Sequence, residues 1–137
     1  MRVSQMMTPS VCVAHPDQTV REAAMLMASH EVGALPVGLE DRLVGILTDR
    51  DIVARAVAIG LSPDECSVRD VMTPEVKFIF ADEDVDDVVR NFATLQVRRL
   101  PVLDRDKRLV GIVSVADLAM AAGPDAAGPA IEGVSRP

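Results

Sequence analysis

The chain has 137 residues, the size of one ordinary domain, with 14 basic and 21 acidic side chains and a net charge of −7. That acidic balance argues against sequence-independent binding to DNA or RNA, which needs clustered Lys and Arg. Nearly half the residues are apolar, yet Trp and Tyr are absent and Phe is scarce, so the core must be Val, Ile, Leu, Met and Ala.

In chain order, Met1-Arg2-Val3-Ser4-Gln5 has no apolar run of the signal-peptide type, and no stretch approaches the ~18 apolar residues of a membrane span. A cytoplasmic protein with no membrane association is expected. Cys12 and Cys66, without a CxxC pair, read as reduced thiols. Val11-Cys12-Val13-Ala14 suits a buried strand. Thr19 and Glu22 have capping-box spacing, and Val20, Ala23, Ala24 and Met27 then follow the i, i+3, i+4, i+7 rule of an amphipathic helix. Strands are expected at Ala34–Gly38 and Arg42–Leu47 around a turn at Leu39-Glu40-Asp41. A helix over Asp49–Ile59 closes on Gly60. Residues 61–67, with Pro63, form a linker.

The same order then returns: a strand at Val76–Phe80, a helix opened by Asp84 and Asp87, strands at Arg99–Leu103 and Arg108–Val113, and a helix over Val115–Ala122 before Gly123. The match is residue by residue. Met7-Thr8-Pro9 recurs as Met72-Thr73-Pro74, Leu35-Pro36-Val37 as Leu100-Pro101-Val102, and Arg42-Leu43-Val44-Gly45-Ile46 as Arg108-Leu109-Val110-Gly111-Ile112. The register slips by one residue only, near Lys107. The chain therefore reads as two βαββα repeats of the α/β (α+β) class, 3–60 and 68–123, followed by an Ala/Gly/Pro-rich tail, 124–137, that is expected to be disordered. A unit of about 60 residues buries only about 60% of its chain surface and is marginal alone. Packing as a pseudo-twofold pair lets the two copies cover each other's apolar sheets.

Each repeat passes from strand to helix through a hydroxyl, two variable residues and an aspartate: Thr48 to Asp51, and Ser114 to Asp117. Free N–H groups at a helix start attract phosphate, the hydroxyl can bond it, and a carboxylate one turn on can accept from both ribose hydroxyls. The same spacing is also a plain capping box, and duplicated helices keep their caps, so recurrence alone does not separate the two readings.

The wider order of motifs resembles the cystathionine-β-synthase (CBS) domain over about residues 3–122, in the tandem form called a Bateman module. Gly45–Val53 is similar to small stand-alone bacterial CBS-pair proteins, including the hypoxic-response type. The resemblance implies a non-catalytic sensor that binds AMP, ADP, ATP or S-adenosylmethionine and changes conformation or affinity for a regulated protein, with no required cofactor. The alternative is a ligand-free oligomerisation adaptor. It implies two sets of binding residues, each drawn from both repeats. The first is Ile46, Thr48, Asp51, Val76, Val97, Arg98, Arg99 and Pro101; the second, expected to be weaker, is Val11, Val32, Gly33, Ala34, Pro36, Ile112, Ser114 and Asp117. Arg98 and Arg99 stand where relatives often carry phosphate contacts, and Gly33 and Ala34 hold the matching places in the first repeat. It also implies a homodimer through the helices of the first repeat, where Met25 falls opposite the core face, with Leu26 on its flank and Ile52, Val53, Ala56 and Val57 nearby. No metal site and no catalytic set is expected: His15 and His30 lack ligand spacing, and P-loop, nucleophile-elbow and HExxH motifs are absent.

Overall fold

The computed structural model describes residues 1–9, 12–92 and 99–122. A 3₁₀ turn, Val3–Gln5, leads into β1 (Thr8–Pro9), α1 (Val20–His30), β2 (Ala34–Leu39), β3 (Arg42–Thr48) and α2 (Asp49–Ile52), which continues as a π-type turn, Val53–Val57. Then follow α3 (Val68–Val71), β4 (Ile79–Phe80), α4 (Val85–Phe92), β5 (Arg99–Leu103), β6 (Leu109–Ser114) and α5 (Val115–Ala121). Helices and strands mix along the chain, as the α+β reading requires.

Two compact units form, and their limits are offset from the sequence repeats. The first unit is Cys12–Val76; the second joins Met1–Val11 to Lys77–Pro137. The Met-Thr-Pro segments cause the offset. In the second unit the strand order is β1-β6-β5-β4, with Thr8 opposite Ile112 and Pro9 opposite Gly111. In the first unit the hairpin β2–β3 is flanked by isolated bridges, Ala14 parallel to Val37 and Thr73 antiparallel to Ile46. Thr73 and Ile46 exchange both backbone hydrogen bonds at 2.9 Å. Each unit thus takes its last strand position from the Met-Thr-Pro segment of the other repeat.

The glycine of each Leu-Val-Gly-Ile motif makes this crossing possible. A Cβ on Gly45 would lie 2.7 Å from the Met72 sulfur and 2.9 Å from the Thr73 carbonyl oxygen; one on Gly111 would lie 2.5 Å from the Met7 sulfur and 3.0 Å from the Thr8 carbonyl oxygen. Two motifs far apart in sequence are in fact one contact.

The buried residues form two clusters, one in each unit, at closely matching repeat positions. Val20, Ala23, Leu35, Val37 and Leu47 pack in the first; Val85, Val88, Leu100, Val102 and Val113 pack in the second. Val68 joins the first cluster and Val3 the second, following the same offset.

Local chemistry explains most boundaries. At the start of α1 the Glu22 N–H donates to the Thr19 hydroxyl at 3.1 Å and the Thr19 N–H to the Glu22 carboxylate at 3.2 Å. The linker adds two acceptors there, the Cys66 carbonyl for the Val20 N–H and the Pro63 carbonyl for the Arg21 N–H, at 2.8 and 3.1 Å. The α2 segment ends as expected at Gly60, which is left-handed at φ 82°. Gly60 N–H donates to Val57 and Leu61 N–H to Ala56, the two bonds of a Schellman end. The hairpin β2–β3 turns on left-handed Glu40 and Asp41, whereas the longer β5–β6 loop has only Lys107 left-handed, which accommodates the extra residue.

Four expectations are corrected. Among the described residues the first strand of the first repeat keeps only the Ala14 bridge, and that of the second is Ile79–Phe80. Asp84 accepts from the Asp86 N–H at 2.9 Å rather than forming a reciprocal box with Asp87, because the chain start packs there: the Met1 amino group lies 3.6 Å from the Asp84 carboxylate. The helix expected over Asp49–Ile59 changes after Ile52 to i→i+5 bonding, with the Ala58 N–H donating to Val53. Finally, the short α3 was not anticipated. Gly123 and the tail 124–137 lie outside the described residues.

Candidate functional site

The strand-to-helix junction of the first unit is built by a strict alternation along β3. Ile46 is half-buried opposite Pro36, Leu47 is fully buried, and Thr48 is half-buried opposite Ala34. Thr48 stays extended (φ −112°, ψ 161°) while Asp49 opens α2, so its side chain lies over the first turn. The Asp51 N–H donates to the Thr48 hydroxyl and the Thr48 N–H donates to Asp51 Oδ2, both at 3.0 Å. The capping box is therefore real. It occupies one oxygen of a half-buried carboxylate; among the described residues Oδ1 meets no donor.

The second junction is looser. Ser114 lies opposite Arg99 and Ile112 opposite Pro101. The Asp117 N–H reaches the Ser114 hydroxyl only at 3.5 Å, no reciprocal bond forms, and Asp117 is exposed.

Each unit gathers half of each expected set. In the first, Ile46, Thr48, Asp51 and Val76 of the first set share the unit with Val32, Gly33, Ala34 and Pro36 of the second. In the second, Ile112, Ser114 and Asp117 share the unit with Arg99 and Pro101. Val11, Val97 and Arg98 lie outside the described residues.

Two residues near the first junction escaped the sequence reading. Asp49 donates its N–H to the Gly33 carbonyl at 2.9 Å, and its carboxylate lies against the Gly33 Cα. Arg55 donates to the carbonyls of Val71 and Met72 at 3.3 and 3.2 Å, tying α2's continuation to the segment that carries Thr73. Gly33 was the available signal for Asp49, since a residue lacking a side chain beside a strand start leaves room for a neighbour's.

The groups with displaced pKa values lie away from these junctions. The Arg21 guanidinium hydrogen-bonds Asp64 and holds its carboxyl below the usual range. Arg105, paired with Asp82 at 2.7 and 2.8 Å and stacked 4.1 Å over the Phe80 ring, does the same for Asp82. Burial, and secondarily the Asp70 carboxylate, pushes the Cys66 thiol up, which keeps it protonated and a poor nucleophile. His15 Nδ1 accepts from the Asp17 N–H at 3.0 Å, and His30 Nδ1 lies 3.0 Å from the Leu26 carbonyl, so both rings are used locally. Among the described residues no group of three or more His, Cys, Asp or Glu is placed to hold a metal ion, and no helix is long and apolar enough to cross a membrane.

The family model of the CBS domain matches residues 3–58 and 68–123. The CBS domain-containing protein YhcV of Bacillus subtilis is 42% identical over 118 residues, covering 86% of this chain and 83% of its own length. Hypoxic response protein 1 of Mycobacterium tuberculosis is 38% identical over 114 residues, covering 82% and 79%. Among solved structures, CBSX2 of Arabidopsis thaliana in complex with AMP is 30% identical, with a TM-score of 0.74 and coverage of 88% of this chain and 94% of that one. The CBS domain pair of MJ0100 in complex with 5′-methylthioadenosine and S-adenosyl-L-methionine has the same identity, TM-score and coverages.

Proposed function

The chain belongs to the CBS-domain family, and from that premise we propose that it is a non-catalytic regulatory module that binds an adenosine nucleotide and alters its conformation or its affinity for a regulated protein in response. The observation that carries this reading is the Thr48–Asp51 junction: a half-buried carboxylate held in place by one oxygen, with the other open to a ribose hydroxyl. The AMP and S-adenosylmethionine complexes of the related structures support an adenosyl ligand.

In this reading Asp51 accepts from the ribose and Thr48 bonds a phosphate oxygen. Ile46, Val76, Val97 and Pro101 enclose the nucleoside, and Arg98 and Arg99 neutralise the phosphate through paired donors. A chain of net charge −7 offers a phosphate no long-range attraction, so local cations must hold it. The weaker set relies on Ser114 and Asp117 with Val11, Val32, Gly33, Ala34, Pro36 and Ile112. Thermal melts with AMP, ADP, ATP and S-adenosylmethionine test the proposal. A specific ligand at 100 times its Kd adds ~2.7 kcal/mol of stability, and no shift with any of the four contradicts it. Arg98→Ala is expected to lose AMP affinity while keeping that for adenosine.

The reading includes a cytoplasmic homodimer formed by helices of the first repeat. Met25 is 64% exposed and Val53 59%, and a groove of about 370 Å³ between α1 and α2 is lined by Ala24, Met27, Ala28, Val32, Ile52 and Val53 with Glu31 and Asp49. Ala56 takes no part, since its side chain is buried under the π-type turn. These apolar residues also favour the adaptor alternative, in which assembly is the whole function. Light scattering distinguishes the outcomes: a dimer that Met25→Glu weakens is expected, and a monomer at high micromolar concentration contradicts it. A dimer whose melting no nucleotide shifts favours the adaptor.

A further inference from the structure

We propose that Met7 and Met72 are oxidation sites, through which a hydroperoxide loosens each Met-Thr-Pro segment from the strand it pairs with. Neither residue belongs to the expected binding sets, so this reading and the nucleotide reading stand or fall separately. In each unit one of these thioethers sits on the glycine of a Leu-Val-Gly-Ile motif. Met72 Sδ is 2.7 Å and its Cγ 3.3 Å from the place of a Cβ on Gly45. Met7 Sδ is 2.5 Å and its Cγ 3.0 Å from the place of a Cβ on Gly111. The strand forgoes a side chain there, and the sulfur lies against its backbone.

The seven methionines are unequal targets. Met1, Met25 and Met120 are well exposed, and an oxygen added there meets solvent. Met27 is buried and shielded. Met6, Met7 and Met72 are half-exposed, within reach of a small oxidant, and pack against the buried clusters, Met72 on the first and the other two on the second. Of these three, Met7 and Met72 lie against a strand glycine. In the reaction a sulfur lone pair attacks one oxygen of the hydroperoxide. The S–O bond forms as the O–O bond breaks, and the departing oxygen leaves as hydroxide or alkoxide and takes up a proton. Sulfur loses two electrons and the peroxide gains them. The product is a polar, chiral sulfoxide in place of an apolar thioether.

A sulfoxide oxygen held against an apolar cluster must find a donor or turn out to water, and turning out withdraws the side chain from the glycine. The strand pairing that remains at each crossing is short. In the second unit β1 is only Thr8 and Pro9, and the proline has no N–H to donate. In the first unit Thr73 and Ile46 form an isolated bridge with two hydrogen bonds of 2.9 Å. Ile46 lies two residues before Thr48 in β3, so loosening there reaches the start of the strand-to-helix junction.

Methionine is also a common filler of irregular gaps, and in that role alone its oxidation at these places would matter no more than at Met25. Dilute hydrogen peroxide applied to the folded full chain separates the two, with peptide mass spectrometry, a thermal melt and amide exchange on each sample. Conversion of Met25 and Met120 measures the dose. Conversion of Met7 and Met72 should lower the melting temperature by about 3 °C or more. Exchange of the Ile46 and Thr73 N–H groups should quicken roughly tenfold. A methionine sulfoxide reductase should restore both, which thiol damage at Cys12 or Cys66 would not allow. A chain carrying Met7→Leu and Met72→Leu keeps the apolar bulk and both cysteines, and its melting should change little under the same dose. The proposal is overturned if Met7 and Met72 stay reduced while Met25 and Met120 are fully converted. It is equally overturned if they convert with melting and exchange unchanged, or if the double variant falls as far as the wild type.

Discussion

The two units agree in their buried clusters and differ at the strand-to-helix junction. Leu35 and Leu100 are each 1% exposed, Val37 and Val102 each fully buried, and both hairpins carry a register irregularity at the same place, after Val37 and after Val102. At the junctions the first unit has a reciprocal Thr48–Asp51 box at 3.0 Å, the second a single Ser114–Asp117 bond at 3.5 Å. The first carries Gly33 and Asp49 where the second carries Arg98 and Val115. A duplicated fold must keep its close-packed core positions, since one methylene is felt there. The junction positions are less constrained, and here their sequences diverge in charge.

The core half of this comparison is tested by paired truncations. Leu35→Ala and Leu100→Ala should each cost about 2–5 kcal/mol, and by similar amounts, in denaturant unfolding. A large difference between them would break the equivalence of the two clusters. The crossing of the Met-Thr-Pro segments comes next. Gly45→Ala and Gly111→Ala should each destabilise by about 1–3 kcal/mol, because the new methyl meets a sulfur and a strand carbonyl. Unchanged melting in both would contradict the pairing of β1 with β6 and of Thr73 with Ile46.

Caps give a smaller and unequal pair. Thr48→Ala should cost about 1 kcal/mol and Ser114→Ala distinctly less, because only the first hydroxyl belongs to a reciprocal box. Equal costs would erase the structural asymmetry of the junctions. The smallest effect is on acid stability, where among the described residues each unit has one carboxylate with a depressed pKa, Asp64 in the first and Asp82 in the second. Their folded values lie below the ordinary carboxylate value of about 4, so their contribution is complete above that pH and is lost as pH falls through the folded values. Both are fully exposed pairs, screened by salt. Arg21→Gln and Arg105→Gln should each flatten the melting curve's dependence on pH below about 4 slightly and to a similar extent.

Much of this architecture was legible in the sequence because duplication repeats the apolar positions of a core in order. Val20 with Val85, Ala23 with Val88 and Leu35 with Leu100 appear in both the sequence match and the buried clusters. The offset between repeat and unit was not legible, because an antiparallel pairing between Thr8 and Ile112 leaves no periodic trace across a hundred residues. Gly45 held the clue, but a glycine in a strand has several explanations until its neighbour is known. The four residues of α3 are too few to show a helical period. Of the candidate site, the Thr48 and Asp51 pair was visible as a spacing, and the structure adds which oxygen is engaged. Asp49 was not visible, since its importance comes from the side chain that Gly33 lacks.

The central claim is that Asp51 is a ribose acceptor as well as a cap. Calorimetric titration of AMP into Asp51→Ala, with a thermal melt of the same sample and Asp117→Ala alongside, tests it most directly. The account predicts that Asp51→Ala binds AMP more weakly by about 1.5–3 kcal/mol, a loss of roughly ten- to hundredfold, and that Asp117→Ala leaves the tight AMP site unchanged. An Asp51→Ala protein that melts earlier and yet binds AMP with wild-type affinity would show the carboxylate to be a cap and nothing more.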